Sequence, residues 1–431
     1  MAGQYSPMRE RRALSRAELL MQDSPVVLLE GPRSVGKSTL LRQIARSRDG
    51  DVVDLDDPSI QDAVRADPSR AVAGRKLVCI DEYQKAPIVL EAIKTELNKG
   101  AMPGSFVLTG SARHDSLPPA AQALTGRLTT FSVYPLSQGE QGGVYENFLE
   151  VALAEPNAVV TTDLSSTTLD DYVGRICRGG FPLALGSASD AARRRWIRDY
   201  INLTLERDVR ELSNLRQGAK LSSLLGRLAG QTAQVLNVDN AATAVRLHPV
   251  TAESYLSLLE KVFLLYRLES WGKTLIARSV AKPKLHVLDS GVAAVLLRLT
   301  PEKLASLNAT ASSEFGHLVE TFAVGELRKQ ASWVDGIAGF GHWRTYEGAE
   351  VDLVVERDDG GIVGFEIKKG SRVPGDELKG LRALRDAVGD NFVGGFAMYL
   401  GERSYTYEDR IHVVPLDMLW KPLSGLTTGQ R

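Results

Sequence analysis

Two cysteines are too few to shape a chain of 431 residues, and Cys79 and Cys177 lie far apart. Their scarcity excludes a disulfide framework and a cysteine-based metal site, and it fits a reducing, cytoplasmic setting. Net charge is equally scant. Lysine and arginine number 52 against 53 aspartates and glutamates, a formal balance of −1, so no global field draws the chain to nucleic acid. Long apolar runs are missing as well. No stretch approaches the roughly 20 residues that cross a bilayer, and Met1 to Leu20 carries charges every few residues where a signal peptide needs an apolar core. Neither secretion nor a membrane partner is expected. Internal repeats and low-complexity tracts are absent too. What remains is 43% hydrophobic and 24% charged residues, an ordinary globular composition in a chain long enough for two or three domains.

The segment Gly31, Pro32, Arg33, Ser34, Val35, Gly36, Lys37, Ser38, Thr39 follows the apolar run Val26 to Leu29 and precedes the helix-favouring Leu40 to Ala45. Strand, glycine-rich loop and helix start in this order make a P-loop. The glycines let backbone N–H groups wrap around phosphates, Lys37 reaches the terminal phosphates, and the Ser38 hydroxyl is placed for Mg²⁺. ATP with Mg²⁺ is the expected ligand pair. Leu77 to Ile80 reads as a second buried strand ending in Asp81 and Glu82, which assigns Asp81 to the metal and Glu82 to the attacking water. Ser105 to Thr109 reads as a third. Its polar end makes Thr109 or Ser111 the candidate γ-phosphate sensor, because ligands sit at the carboxyl ends of strands in such sheets. Arg127, before the apolar run Leu128 to Leu136, is a candidate charge donor to a neighbouring nucleotide, set against an ordinary surface arginine at a turn.

GPRSVGKST, the strand ending in DEYQKAP, the LTGSAR segment and GRLTTFSVYPLSQGE together resemble the AAA-like ATPases of bacteria and archaea that carry a C-terminal domain of unknown function. The resemblance covers nearly the whole chain and implies an ATP-binding N-terminal module acting on a partner not defined by the family. One departure is visible: Thr109 and Ser111 stand where the AAA sensor is often asparagine.

Residues 1–140 form the expected ATPase module and 141–170, with its Ser/Thr cluster, a connection that can hold a short helix. Residues 171–300 carry an excess of lysine and arginine, a candidate phosphate-contacting face or one that docks on the acidic remainder of the chain. Within them, Ala241 to Leu247, the turn His248 to Val250 and a second helix capped by Thr251 predict a helix-turn-helix, with a β-wing between Leu264 and Leu288. The second helix offers Glu253, Glu260 and a single basic residue, so packing or protein contact outweighs direct reading of DNA.

Residues 312–420 read as a helix, Glu314 to Gln330, then strands Val351 to Val355 and Ile362 to Lys368. Glu320 projects from the helix and Asp352 opens a strand. Glu366 and Lys368, two apart, share a face. The pattern resembles the PD-(D/E)xK nuclease core, which implies a second divalent cation, Mg²⁺ or Mn²⁺, held by Glu320, Asp352 and Glu366 beside Lys368. A retained fold whose charges pair with one another is an equal alternative. The expected fold class is thus multidomain α/β: an AAA-like P-loop NTPase with a parallel sheet, a helical and winged-helix middle, and a restriction-endonuclease-like end. The expected activity is Mg-dependent ATP hydrolysis coupled to DNA, another nucleic acid, a protein partner or self-association. A nucleotide-regulated interaction module, an ATP-gated nuclease and a winged-helix DNA regulator are the rival uses.

Overall fold

The computed structural model describes residues 9–74, 76–113, 124, 126–209, 218–272, 281–305 and 309–424. The first module begins with α1 (Arg12–Asp23), then β1 (Val26–Glu30), α2 (Lys37–Ser47), β2 (Asp51–Asp54), α3 (Pro58–Ala66), α4 (Pro68–Val72), β3 (Val78–Asp81), α5 (Val89–Asn98), β4 (Phe106–Gly110) and β5 (Leu128–Ser132). The strands order as β2-β3-β4-β1-β5 and every pairing is parallel. Both faces are covered, which is why β1 and β3 are almost wholly apolar. Leu29 pairs with Thr109 and Ile80 with Leu108, so the ends of β1, β3 and β4 finish at one height.

A short α6 (Gln138–Gly142) follows, closed by a Ser137/Glu140 capping box. Next comes α7 (Phe148–Ala154), which lies in the stretch read as a connection. It is no free linker. Its sequence FLEVALA has almost no polar face to leave in water, and Phe148 packs its ring against Phe365 and Phe396 of the C-terminal sheet. Ser165 and Thr167 then each donate a 2.7 Å hydrogen bond to Asp417.

The middle segment contains α8 (Leu169–Arg178), α9 (Pro182–Leu185) and α10 (Asp190–Leu203), the last continuing into a π-helical turn, Thr204–Asp208. Then come α11 (Gly218–Ala229), β6 (Gln234–Val235), α12 (Val238–Ala244), α13 (Pro249–Lys261), β7 (Leu265–Leu268) and β8 (Lys284–Val287), with α14 (Ser290–Leu296) and α15 (Pro301–Ala305) behind them. The strands form an antiparallel sheet in the order β6-β8-β7. Helix α13 begins earlier than predicted. His248 is its cap, Nδ1 accepting from Val250 N at 3.3 Å, and Pro249 fills a first-turn position that needs no N–H donor. Residues 210–217 of the expected helical stretch and the expected wing tip, 273–280, lie outside the described residues.

The C-terminal module opens on α16 (Ala309–Ala331) and continues through β9 (Ile337–Arg344), β10 (Glu350–Arg357), β11 (Ile362–Lys368), α17 (Lys379–Val388), β12 (Phe392–Tyr399), β13 (Tyr405–Glu408) and β14 (Ile411–Pro415). Its sheet runs β13-β14-β12-β11-β10-β9, an antiparallel β9-β10-β11 meander joined to a parallel β11-β12-β14 half. One continuous apolar core runs through all three segments, from Val27 and Leu41 through Leu224 and Leu259 to Phe322 and Phe365.

Candidate functional site

The P-loop hangs on two glycines. Gly36, with φ at 97°, holds a left-handed conformation open mainly to glycine and ends the loop at the first residue of α2. Gly31 lies so close to Val133 that an added Cβ would meet its carbonyl oxygen at 2.2 Å. Lys37 is buried, and its Nζ donates to the carbonyls of Gly31 and Pro32, both at 2.8 Å. Among the described residues no carboxylate pairs with it directly, though the charges of Glu82 and Asp81 nearby offset part of the burial. Burial pulls its pKa down to about 8, and an anion in the loop would favour its charged form further. Arg33 leaves the loop to pair with Asp208 of the π-helical turn at 2.7 Å. Ser34 has a left-handed backbone, Val35 is buried, and Thr39 is exposed on the first turn of α2.

At the neighbouring strand ends, Ser38 Oγ donates to Asp81 Oδ1 at 3.0 Å, and the Thr109 hydroxyl donates to the same oxygen. Burial raises the Asp81 pKa, against the lowering effect of these two hydrogen bonds. Thr109 Oγ1 also accepts from Glu82 N at 3.0 Å. Glu82 itself sits in a left-handed conformation, φ 53°, which costs a non-glycine residue on the order of 1 kcal/mol and aims the carboxylate sideways. Its Oε2 accepts from Ser111 Oγ at 3.0 Å and from Gln84 Nε2, and Gln84 also donates to Ser111 at 3.0 Å. Both sensor candidates are therefore committed to the acids, Thr109 to Asp81 and Ser111 to Glu82.

In the C-terminal module the predicted acids do not surround an open metal position. Lys284, from β8 of the middle sheet, inserts its Nζ among Glu320 (2.8 Å), Glu350 (2.6 Å) and Asp352 (2.8 Å). The other Asp352 oxygen accepts from Ile367 N at 2.9 Å. Burial lowers the Lys284 pKa, but the charges of Asp352, Glu320 and Glu350 outweigh it and raise the value well above that of an ordinary lysine. Glu320 is pushed well up by burial and then by Asp352. Glu366 pairs with Lys368 at 2.8 Å, and burial first, then Asp352, lifts its carboxyl to about 8. Among the described residues no group of His, Cys, Asp and Glu is disposed to hold a metal.

A family model described as an AAA domain matches residues 23–141, and two described as domains of unknown function, DUF8612 and DUF4143, match 169–303 and 315–419. "Uncharacterized protein Rv2008c" of Mycobacterium tuberculosis is 30% identical over 428 residues, covering 98% of this chain and 84% of its own length, and "Uncharacterized protein Mb2031c" of Mycobacterium bovis aligns equally. The chain belongs to their family, one of AAA-domain P-loop ATPases. Among solved structures, the Walker-type ATPase PABY2304 of Pyrococcus abyssi aligns at 17% identity and a TM-score of 0.41, covering 67% of this chain and 96% of that one.

This ATPase thus brings Ser38, Asp81, Glu82, Thr109 and Ser111 together at the strand ends, beside Lys37. Arg127 is not among them. It precedes Leu128, which pairs with Val26 at the start of β1, so Arg127 sits at the opposite edge of the parallel sheet and donates to Asn98 at 2.7 Å. Sequence reasoning missed Gln84, although it lies two residues past Glu82 on the same turn. It also missed Arg11, whose guanidinium holds Val35 O (2.6 Å), Tyr134 O (2.8 Å) and Glu140 (3.0 Å) and so clamps the back of the P-loop. Asp208 and Lys284 gave no local signal.

Proposed function

We propose that this ATPase binds ATP and Mg²⁺ through Lys37, Ser38 and Asp81, hydrolyses ATP with Glu82 as the group that positions water, and transmits nucleotide state to its middle segment to remodel a nucleic acid or a protein partner. The observation that carries the catalytic part is the closed set of hydrogen bonds joining Ser38 to Asp81, Asp81 to Thr109, and Glu82 to Ser111 and Gln84. The residues fit the ligand: a buried ammonium paired with no carboxylate among the described residues faces the loop, and a hydroxyl and a carboxylate converge where an octahedral ion retaining its waters needs oxygen donors. The bound Mg²⁺ would supply charge compensation for the terminal phosphates.

Two contacts support the transmission. Arg33 of the loop pairs with Asp208, and Arg113, just beyond the Ser111 segment, donates its N–H to Lys261 O at 3.2 Å and lays its guanidinium 5.5 Å from the Phe263 ring centroid. Lys261 ends α13. The order α11-β6-α12-α13-β7-β8 supports reading the middle as a winged helix, and the helix-meander-crossover order from α16 to β12 supports a nuclease-like C-terminal fold.

Use of the winged helix on protein is favoured over base reading by one further observation. Glu253 and Glu260 of α13 are held by Arg267, which keeps acidic groups on the helix that would have to enter a groove. The test is nucleotide turnover together with recovery of what accompanies a Glu82→Gln chain from cells in ATP. Absence of Mg-dependent turnover sinks the ATPase reading. Identical sets of associated proteins and nucleic acids with and without ATP sink the transmission. Cleavage of DNA in Mn²⁺ would revive an ATP-gated nuclease.

A further inference from the structure

The acid cluster of the C-terminal module is complete, yet its centre is filled by the chain itself. Lys284 Nζ donates to Glu320 and Asp352, both at 2.8 Å, and forms an ion pair with Glu350 at 2.6 Å. These oxygens are nearly as close together as those around a bound divalent cation, whose ligand distances run from about 2.0 to 2.6 Å. Cation and ammonium cannot share so small a space. With Asp352 Oδ1 on Lys284 and Oδ2 on Ile367 N, the residue that would have to bridge to a metal has no uncommitted oxygen.

The placement of Lys284 is built in. Its strand pairs with both neighbours in the middle sheet. Just before it, Lys282 O contacts His342 Nε2 of β9 at 3.1 Å. On the facing strand, just past Leu268, which pairs with Lys284, His342 N donates to Glu269 O at 3.0 Å and Trp271 N to His342 O at 2.6 Å. The end of the β7–β8 pair is therefore pinned on both strands to the edge strand of the C-terminal sheet, and the adjoining lysine is 3% exposed at its side chain. The lysine lines a cleft of about 1030 Å³ with Glu366, whose buried Oε2 has no hydrogen-bond partner among the described residues.

We infer that Lys284 stands in the place of the divalent cation of a nuclease-type carboxylate centre, so that this module takes up no metal there and the centre serves as an ionic weld between the middle and C-terminal sheets. The inference does not depend on the ATPase reading, because it is tested without nucleotide. The ammonium supplies the positive charge that the acids require, and no hydrolytic water is activated.

The experiment is a Mn²⁺ titration of the full chain, read by the electron paramagnetic resonance of the free ion, with thermal unfolding in parallel. In the parent, Asp352→Asn should leave Mn²⁺ binding unchanged. Lys284→Ala should bind one more Mn²⁺ per chain than the parent, should melt at higher temperature when Mn²⁺ is added, and should lose both properties when Asp352→Asn is added. If Lys284→Ala does not fold, Lys284→Ala with Glu350→Gln, which removes one charge of each sign, carries the same titration. Mn²⁺ binding by the parent that Asp352→Asn abolishes would overturn the inference, as would a folded Lys284 variant that gains no ion.

Discussion

Replacing Glu82 by glutamine removes one ionisable oxygen and almost no volume, which makes it the sharpest test of the catalytic assignment. The amide can still accept from Ser111 and Gln84 through its oxygen, so the two hydrogen bonds to Oε2 survive. It also removes a negative charge beside the buried Asp81, whose pKa burial already raises. Global stability should therefore change by no more than about 1 kcal/mol. Chemistry should suffer far more. Loss of a positioned general base lowers turnover by roughly 10²–10⁴-fold, about 3–5 kcal/mol of barrier. Phosphate release under saturating MgATP measures the rate, and titration with a fluorescent ATP analogue measures binding, which should stay within a few-fold of the parent. Turnover within about threefold of the parent, a barrier change of less than 1 kcal/mol, would refute the role of Glu82. Lost nucleotide binding with intact melting would move it from water to ligand.

Lys37→Ala should abolish MgATP binding in the same titration, because the variant removes the buried ammonium from the loop; parent-like affinity would take Lys37 out of the site. Asp81→Asn should weaken binding in Mg²⁺ more than in its absence, since it changes the acceptor shared by Ser38 and Thr109. Asp352→Ala should cost about 3–5 kcal/mol in denaturant unfolding, with no recovery in Mg²⁺, because it leaves the buried Lys284 one carboxylate short; an unchanged midpoint would sink the weld. Glu146, fully buried on Ser137, has its carboxyl pushed up to about 7 by burial from an ordinary 4.5. A raised folded pKa means stability present below 4.5 and lost as pH rises through 7. The parent should thus lose ~3 kcal/mol relative to Glu146→Gln between acid and mildly alkaline pH, read as the difference between their unfolding curves.

The first module was readable because its information is local. A four-residue apolar run followed by glycines and Lys37, and another ending in Asp81, fix strand, loop and strand end without reference to distant residues. The sequence does not state which end of a parallel strand Arg127 will flank; the β1–β5 register puts it at the end away from the P-loop of its own chain. Thr109 and Ser111 lie beside the acids at the strand ends, but the hydroxyl partners depend on the turn that Glu82 makes. The C-terminal acids were found by their spacing, and the strands Glu350–Arg357 and Ile362–Lys368 cover the stretches read as strands. Lys284 escaped because the sequence around it, AKPKLHVL, has the look of a solvated strand end, and only the packing of β8 against β10 and α16 turns its side chain inward. The sequence admits a short helix at α7, but its packing is not legible there, because a short apolar segment between polar stretches does not announce which module will cover it.

Helix α16 reaches every part of the molecule. Glu320 faces the lysine-filled cluster, and Thr321 shares a 2.8 Å hydrogen bond with Thr232 of the middle segment. Glu326, about 9 Å of helical rise further on, accepts from Gln138 N of the first module at 2.7 Å. Arg328 and Lys329 hold Tyr134 Oη at 3.1 Å and Leu136 O at 3.2 Å, and Gln330 ties Leu149 N to Leu419 O. A gene rearrangement that joined this P-loop module to some other C-terminal partner would strip those backbone groups of their bonds and uncover the apolar surface beneath them. The three segments are therefore expected to be inherited together, and a protein fragment that stops before Ala309 should come out of the ribosome as a substrate for proteases instead of a working enzyme.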